Sequence, residues 1–275
     1  MAGHVSSDVV SAAERVGLTA VTGTADAVGM VGLTLGGGHG PLIGQFGLAA
    51  DNLLGAEVVL ADGSRVNTDA EHHPDFFWAL RGGGNFGVVT SARIRLHPVP
   101  TVVSGTILYP IAQSASILAD LGGVHQDSPD ELTVDVGFLP GPDGKPTVYV
   151  APTWSGDLEV GNAENGPVRA LARLGTPVLA EVGPVARSAA LAATDAMFSP
   201  GRMGAIRTRC VQSVSGSVAT VLDRAAQEFT SPQVANSYGP NTQRLLAVKS
   251  AVDPDSLFAA TSLPIGTADA GSTPV

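Results

Sequence analysis

The chain has 275 residues, a formal net charge of −10, 44% hydrophobic residues and a mean hydropathy of +0.23. This supply of apolar side chains excludes a disordered chain, and the acidic balance argues against nucleic acid or an anionic membrane as a partner. No apolar run reaches the ~18 residues of a membrane span, and residues 1–10 lack the features of a signal peptide, so we expect a cytoplasmic protein. The single cysteine, Cys210, excludes an intramolecular disulfide, and the sequence has no Cys/His cluster typical of a metal site.

The first hundred residues predict short helices and strands separated by glycines. In chain order they are a helix capped by Ser7 or Asp8 and ended by Gly17, a strand at 18–21, a hairpin of 57–61 and 65–68, a helix from Pro74 to Gly82, and a strand at 86–96. Asp62-Gly63-Ser64 between two β-type runs is a strong hairpin signal, and proline at a first helical position is typical of a helix start.

After Pro98 and Pro100 the glycine runs give way to a plainer α+β pattern. The predicted elements are a strand at 105–109, a helix at 112–121, a hairpin of 132–139 and 147–152, and helices at 167–174, 217–229 and 241–252. The small, polar residues after Phe258 predict a disordered tail.

The segment 23–40 is the most unusual part of the chain. It is too apolar for an exposed linker, and its glycines make it look unlike a strand or a helix. A buried loop must find partners for its backbone N–H groups, and a bound anion is one natural partner.

A second glycine cluster, Gly82-Gly83-Gly84-Asn85-Phe86-Gly87, satisfies the string GxGxxG. The dinucleotide-binding fingerprint needs a strand before the glycines and a helix after them, and here the order is reversed. The chain also lacks a GxSxG elbow and a GxxxxGK[ST] loop, which removes the main support for a hydrolase or a P-loop protein. Two glycine clusters beside apolar β-like sequence favour a buried ligand against which backbone packs directly.

The order of these segments resembles a known family. Residues 28–52, VGMVGLTLGGGHGPLIGQFGLAADN, are similar to the second half of the FAD cradle in the FAD-linked oxidases of the vanillyl-alcohol oxidase/PCMH superfamily. EVVLADGSRV, then DFFWALRGGGNFGVVTSARIRLHPVP, and near the C-terminus SYGPNTQRLLAVKSAVDPDSLF follow in the order typical of the berberine-bridge-enzyme-like branch.

The resemblance implies an α+β fold with a partial PCMH-type FAD-binding domain, its second lobe, and a reduced α+β substrate domain. The implied organisation is a partial FAD-binding domain at 1–100, a shortened substrate domain at 101–235, a segment at 236–260 that returns to the FAD-binding domain, and a disordered tail at 261–275.

The resemblance also implies which residues hold FAD. Gly29, Gly32, Leu33 and Thr34 would lie along the pyrophosphate and ring, Gly37, Gly38 and Gly40 would give close approach and a nest of N–H groups, and Val88 and Val89 would present backbone to the adenine edge. His39 lies inside the glycine loop, where it either reaches the substrate face of the ring or fills a gap.

Three departures from the family pattern qualify these expectations. The family's first lobe, with a glycine loop whose histidine often bonds to the flavin, precedes the matching segment, and His4 lies in no such loop. Ala25 stands near the position of the cysteine found in doubly linked members, which predicts non-covalent FAD. The Tyr-x-Asn strand is missing, and Tyr238 is the weak candidate for a catalytic base.

The expected function is therefore an FAD-dependent oxidoreductase that oxidises an alcohol, amine or sugar, with dioxygen reoxidising the flavin. Because half of the cradle is absent, we expect weak FAD binding unless a second chain supplies the other lobe. A truncated, non-catalytic remnant or interaction module of the family is the alternative, and a nucleotide-binding enzyme without flavin is a third possibility.

Overall fold

The structure is a computed structural model that describes residues 3–83, 86–143, 145–196, 241–255 and 257–258. In the first part of the chain the elements are α1 (Ser6–Glu14), β1 (Thr19–Ala20), α2 (Met30–Leu35), α3 (Ile43–Phe46), a 3₁₀ turn (Ala49–Asn52), β2 (Leu53–Val59), β3 (Arg65–Asp69), α4 (Pro74–Leu80), β4 (Val88–Ile94) and β5 (Leu96–His97). They are followed by β6 (Thr101–Pro110), a 3₁₀ turn (Ile111–Gln113), α5 (Ser114–Asp127), β7 (Leu132–Pro140), β8 (Pro146–Trp154), α6 (Leu158–Asn162), α7 (Pro167–Leu171), β9 (Leu179–Ala186), α8 (Arg187–Ala196) and α9 (Thr242–Val252).

The described strands form three antiparallel sheets. β1 pairs with β5, the order of the second sheet is β3-β2-β4, and the order of the third is β7-β8-β6-β9. Two main hydrophobic clusters lie against the larger sheets. One packs α4 and Phe86 on β2 and β4, and the other packs α5 and α7 on one face of the four-stranded sheet.

Where local signals are strong, the predicted elements are confirmed. The hairpin turns at Gly63, whose φ of +81° suits glycine, and α4 begins at Pro74 and ends before Gly82, whose φ is +111°. The first helix begins at Ser6, slightly earlier than predicted, and the Asp8 side chain accepts a hydrogen bond from the Val5 N–H at 3.2 Å.

The expectation that the segment 23–40 contains no helix is wrong, because α2 lies inside it. Met30 and Thr34 are buried one helical turn apart, and burial of this pair outweighs the low helix propensity of the glycines. Helices α6 and α8 and strand β9 were not predicted from the sequence. The predicted helix at 217–229 lies outside the described residues.

The C-terminal helix α9 packs against the first part of the chain. Leu245 joins the cluster around α4, and the Arg244 guanidinium lies 3.9 Å from the centroid of the Trp78 ring and 2.5 Å from an Asp75 carboxylate oxygen. This contact joins sequence-distant segments around one hydrophobic cluster.

Candidate functional site

Helix α2 is held on two sides and bare on a third. Val31 and Leu35 pack against the cluster that contains Phe86 and Val89, and Thr34 is buried, with its hydroxyl donating to the Met30 carbonyl at 2.8 Å. The remaining side carries glycines, and we call Gly29 and Gly32 together the bare face of α2.

The bare face of α2 borders open space and presents backbone donors. A methyl group added at Gly29 or Gly32 would meet no atom within 4 Å. The Met30 N–H donates to the His4 carbonyl at 3.0 Å, but the N–H groups of Val31 and Gly32 have no acceptor within the part of the chain that the structure describes. These two amides are therefore free to bind a ligand beside the helix.

The loop after α2 pairs the N–H groups of Gly36 and Gly37 with carbonyls of the helix, whereas the N–H groups at 38–40 have no acceptor among the described residues. Gly37 and Gly38 have φ values of +101° and +77°, and their carbonyls accept the N–H groups of Ala50 and Ala49 at 2.8 and 2.9 Å. Successive amides without acceptors in a loop of unusual φ values form a concavity suited to an anion.

Not every glycine of this loop faces the open space. A methyl group at Gly40 would lie 1.8 Å from the Thr22 carbonyl oxygen, and one at Gly38 would lie 2.5 Å from the Ala49 Cβ. Close approach of the protein's own backbone and side chains therefore accounts for these two positions.

The other predicted site residues differ in exposure. Leu33 is half-buried and His39 is exposed. Val88 is 50% exposed and Val89 is buried, and both belong to β4 at an edge of its sheet. Tyr238 lies outside the described residues, and its predicted role stays a prediction.

Sequence reasoning missed a buried cation behind this region. Arg187 is 1% exposed and donates to the Thr22 hydroxyl at 3.4 Å, while its Nε has no hydrogen-bond partner in the described part of the chain. Burial lowers the pKa of Arg187 to about 10, although the charge of Glu14 acts in the opposite direction, so the guanidinium stays protonated. No local sequence signal indicates this contact, because 165 residues separate Arg187 from Thr22.

Two further ionisable groups missed by the sequence analysis lie on the four-stranded sheet. Asp135 on β7 and Tyr149 on β8 are half-buried on the face opposite the α5 and α7 cluster. Burial raises the pKa of Asp135, with His39 opposing the shift, and burial together with the charge of Asp135 raises the pKa of Tyr149. A lone aspartate in a strand of alternating apolar residues, LTVDVGFL, was the available sequence signal.

The second glycine cluster is closely packed at Gly83 and Gly87, whereas a methyl group at Gly82 would meet no atom within 4 Å. A methyl group at Gly83 would lie 2.3 Å from the Ala79 carbonyl oxygen, and one at Gly87 would lie 2.6 Å from the Val59 carbonyl oxygen. These two glycines let protein segments approach one another.

The described residues contain no cluster of three or more His, Cys, Asp and Glu residues placed to bind a metal ion. In the same ranges, no helix is long and apolar enough to cross a membrane.

Comparison with known families gives two matches that bracket the chain. A model described as an FAD binding domain matches residues 1–69, and a model described as berberine and berberine like matches residues 227–262. The first match contains α2 and the glycine loop.

Individual proteins give the same result. The chain is 35% identical over 175 residues to the (R)-6-hydroxynicotine oxidase of Paenarthrobacter nicotinovorans, which covers 62% of this chain and 38% of that protein. The structure of 6-hydroxy-D-nicotine oxidase from Arthrobacter nicotinovorans superposes with a TM-score of 0.75 at 24% identity, over 94% of this chain and 76% of that one. Xylooligosaccharide oxidase from Myceliophthora thermophila gives a TM-score of 0.57 at 27% identity, over 72% and 41%.

The fold is that of the PCMH-type FAD oxidases, and the structure covers part of the FAD-binding domain. These matches support the berberine-bridge-enzyme-like branch of the FAD-linked oxidases of the vanillyl-alcohol oxidase/PCMH superfamily. The chain spans less than two-fifths of the length of the curated relatives that it matches.

The residues present fit one side of an FAD molecule. The bare face of α2 leaves room that side chains at Gly29 and Gly32 would fill, and the unpaired amides at 38–40 suit a pyrophosphate. Arg187 adds a buried positive charge behind Thr22.

Proposed function

We propose that this chain is part of an FAD-dependent oxidoreductase that oxidises an alcohol, amine or sugar. The observation that carries the proposal is the bare face of α2, where open space meets N–H groups without acceptors in the described chain. Gly38 and Gly40 are buried, and their N–H groups have no acceptor in the described chain, so they need a partner that an anionic cofactor would supply.

In this proposal Gly29 and Gly32 border FAD, and Leu33 supports the loop from inside. The amides of Gly38, His39 and Gly40 bind the pyrophosphate, whereas Thr34 acts indirectly because its hydroxyl is bonded within α2. The remaining residues of the proposed site are Gly37, which shapes the loop, and Val88 and Val89, which offer edge-strand backbone to the adenine.

FAD held at this site would supply the two-electron acceptor for a hydride from a substrate carbon. The substrate hydroxyl or amine gives up one proton to a base, so an alcohol becomes a carbonyl compound and an amine becomes an imine. Dioxygen would then accept the two electrons and two protons, which gives hydrogen peroxide. The chain's own contribution is to hold the ring, exclude water and receive the substrate proton.

We further propose that FAD is held without a covalent bond and that its other side is covered by polypeptide outside these 275 residues, such as a second chain. Ala25 cannot form a thioether, and His4 is an exposed residue that pairs with Asp8 at 3.7 Å. In this arrangement 1–100 and 236–260 form the FAD-binding unit and 101–235 the substrate domain.

The names of the matched proteins support the substrate class. One is an oxidase of a hydroxynicotine and another an oxidase of xylooligosaccharides, so amine and sugar substrates both occur among proteins with this fold. We extend to this chain only the shared feature, a small molecule oxidised at a carbon that bears oxygen or nitrogen.

The test is FAD binding by the purified protein. We expect a flavin spectrum well below one equivalent, saturable binding when FAD is titrated, and thermal stabilisation by FAD that exceeds that by FMN, NAD or ATP. All bound flavin should leave on acid precipitation, and peroxide should form with a member of an alcohol, amine and sugar panel. Stabilisation by NAD alone would overturn the proposal, and one full equivalent of flavin would overturn the need for further polypeptide.

A further inference from the structure

We propose that Asp135 is the base that receives the substrate proton and that Tyr149 is a positioning residue beside it, on the face of the four-stranded sheet opposite the α5 and α7 cluster. The inference rests on the proposed function, since it names the proton acceptor for that oxidation. It also limits the substrate to molecules that are neutral or positively charged.

Strand register puts the two side chains on one face. Asp135 pairs with Ala151 and Gly137 pairs with Tyr149, so the two positions lie one strand apart and two residues along the sheet. A methyl group at Gly137 would lie 2.6 Å from the Tyr149 ring, which means that the ring lies over Gly137. Tyr149 therefore covers the strand position next to Asp135 on that face.

The same face of β7 meets the glycine-rich region. The Gly44 N–H donates to the Thr133 hydroxyl at 3.3 Å, and a methyl group at Gly44 would lie 2.4 Å from the Asp130 carbonyl oxygen. Thr133 lies two residues before Asp135 and therefore shares this face of the strand. His39 of the loop is near enough for its charge to act on Asp135. Asp135 thus lies between the loop that we assign to FAD and the ring of Tyr149.

Asp135 and Tyr149 are half-buried but unused by the fold. Neither side chain has a hydrogen-bond or ion-pair partner among the described residues. Tyr109, which lies on the opposite face of the same sheet, provides a contrast, because it is fully buried and its hydroxyl donates to the Leu171 carbonyl. A polar group that is partly desolvated without a partner is available to a ligand.

Desolvation also suits the two groups to their roles. Burial raises the pKa of Asp135, which makes its carboxylate a stronger base than an exposed one, while His39 opposes the shift. Burial and the charge of Asp135 raise the pKa of Tyr149, so its phenol stays protonated and can donate to the substrate oxygen or nitrogen. A proton passes from the substrate O–H to an Asp135 oxygen as the hydride leaves the adjoining carbon for FAD, the oxidant.

The charges of this face select the substrate. Register and alternation place Asp135 and Glu181 on it, and no Lys or Arg of the described strands shares it. Two carboxylates repel an anionic substrate and accept a neutral alcohol or a protonated amine. The ionisable groups that face Asp135 are then Tyr149 and Glu181 on the sheet and His39 on the loop.

The first test does not need flavin. Carbon-13 NMR of the aspartate carboxyl groups, assigned with Asp135→Asn, should give an Asp135 pKa above the ordinary value and a further rise in His39→Gln. Glu181→Gln, on the far edge strand of the same face, is the matched control and should change the Asp135 pKa less than His39→Gln does. An Asp135 pKa at the ordinary value, unchanged by the substitution His39→Gln, would overturn the inference.

The second test uses the FAD-loaded protein, without oxygen, and the first neutral alcohol or amine of a panel that reduces the flavin. We expect Asp135→Asn to lower the limiting rate of flavin reduction by about 10²–10⁴-fold with unchanged FAD binding. Tyr149→Phe should weaken apparent substrate binding by about tenfold with a smaller effect on the limiting rate. Glu159→Gln, at an exposed position of α6, should resemble wild type.

The two hypotheses fail in different ways. A wild-type protein that binds FAD but is reduced by no substrate would overturn the proposed function, while the NMR result would still decide whether Asp135 and His39 are coupled. Wild-type reduction rates in Asp135→Asn would overturn this inference and leave the proposed function standing. Circular dichroism of each variant checks that a lost rate is not lost fold.

Discussion

The two glycine-rich segments of this chain look alike as sequence and differ as structure. In the first, a methyl group at Gly29 or Gly32 would enter open space beside amides that the described chain leaves unpaired. In the second, a methyl group at Gly83 would collide with the Ala79 carbonyl, and one at Gly87 with the Val59 carbonyl. The first segment leaves backbone open beside α2, and the second lets helices and strands pack closely at Gly83 and Gly87.

The difference shows that glycine has two roles, and that they mix within a single motif. Gly40 belongs to the first segment, yet it packs against the Thr22 backbone as tightly as any glycine of the second. The closely packed glycines hold the loop in position, and that position keeps the bare face of α2 open. A count of glycines detects both roles together and cannot separate them.

The largest effect on stability is expected from a substitution that disrupts the packing of the second segment. Gly83→Ala puts a methyl group 2.3 Å from the Ala79 carbonyl oxygen and 2.9 Å from Leu245, which joins α9 to this cluster. Because backbone must move, we expect a loss of about 3 kcal/mol in the free energy of unfolding, measured by urea denaturation. Gly123→Ala, an exposed glycine of α5 with nothing within 4 Å of the added methyl group, is the control. Equal stabilities of the two variants would contradict a packing role for Gly83.

The next effect separates binding from stability in the first segment. Gly32→Ala adds a methyl group to the bare face of α2, where the protein itself offers no contact. We expect unfolding stability to stay the same or rise by up to about 1 kcal/mol, because alanine favours helix, while FAD titration shows weakened binding. Gly123→Ala should bring the same helical gain and leave FAD binding unchanged. Unaltered FAD affinity in Gly32→Ala would mean that the cofactor lies elsewhere.

Sequence reasoning succeeded where a signal is local. Asp62-Gly63-Ser64 and Pro74 each specify a turn or a helix start through backbone preferences of their own, so the hairpin and α4 were predicted. The strand β9 was missed because its residues 179–186 form a strand through pairing with β6, about 75 residues earlier, and carry little alternation of their own.

The candidate site divides in the same way. The glycine loop could be found from composition and family resemblance, since its function resides in consecutive residues. The placement of Asp135 and Tyr149 on neighbouring positions of one sheet face depends on the register of β7 and β8. The approach of His39 to Asp135 depends on how α3 packs on β7. Long-range geometry of this kind leaves no trace in the spacing of residues.

The smallest effect concerns the imidazole that supports the first segment from behind. Asn52 Nδ2 donates to the carbonyls of Phe46 and Leu48 at 2.9 Å each, so its Oδ1 accepts from His97 Nε2–H at 2.7 Å. Burial, and then the charge of Arg95, lower the pKa of His97, so the folded protein protonates this ring at a lower pH than the unfolded chain does. The unfolded chain takes up a proton near pH 6.5, which means that stability is complete above that pH and is lost as pH falls below it. We expect urea denaturation to show that the free energy of unfolding falls by under about 1 kcal/mol between pH 7 and pH 5. The fall should be smaller in His97→Gln. The control is His73→Asn, which should show the wild-type fall, because this histidine is exposed and its φ of +52° suits asparagine. A pH dependence that survives His97→Gln unchanged would show that this support does not titrate.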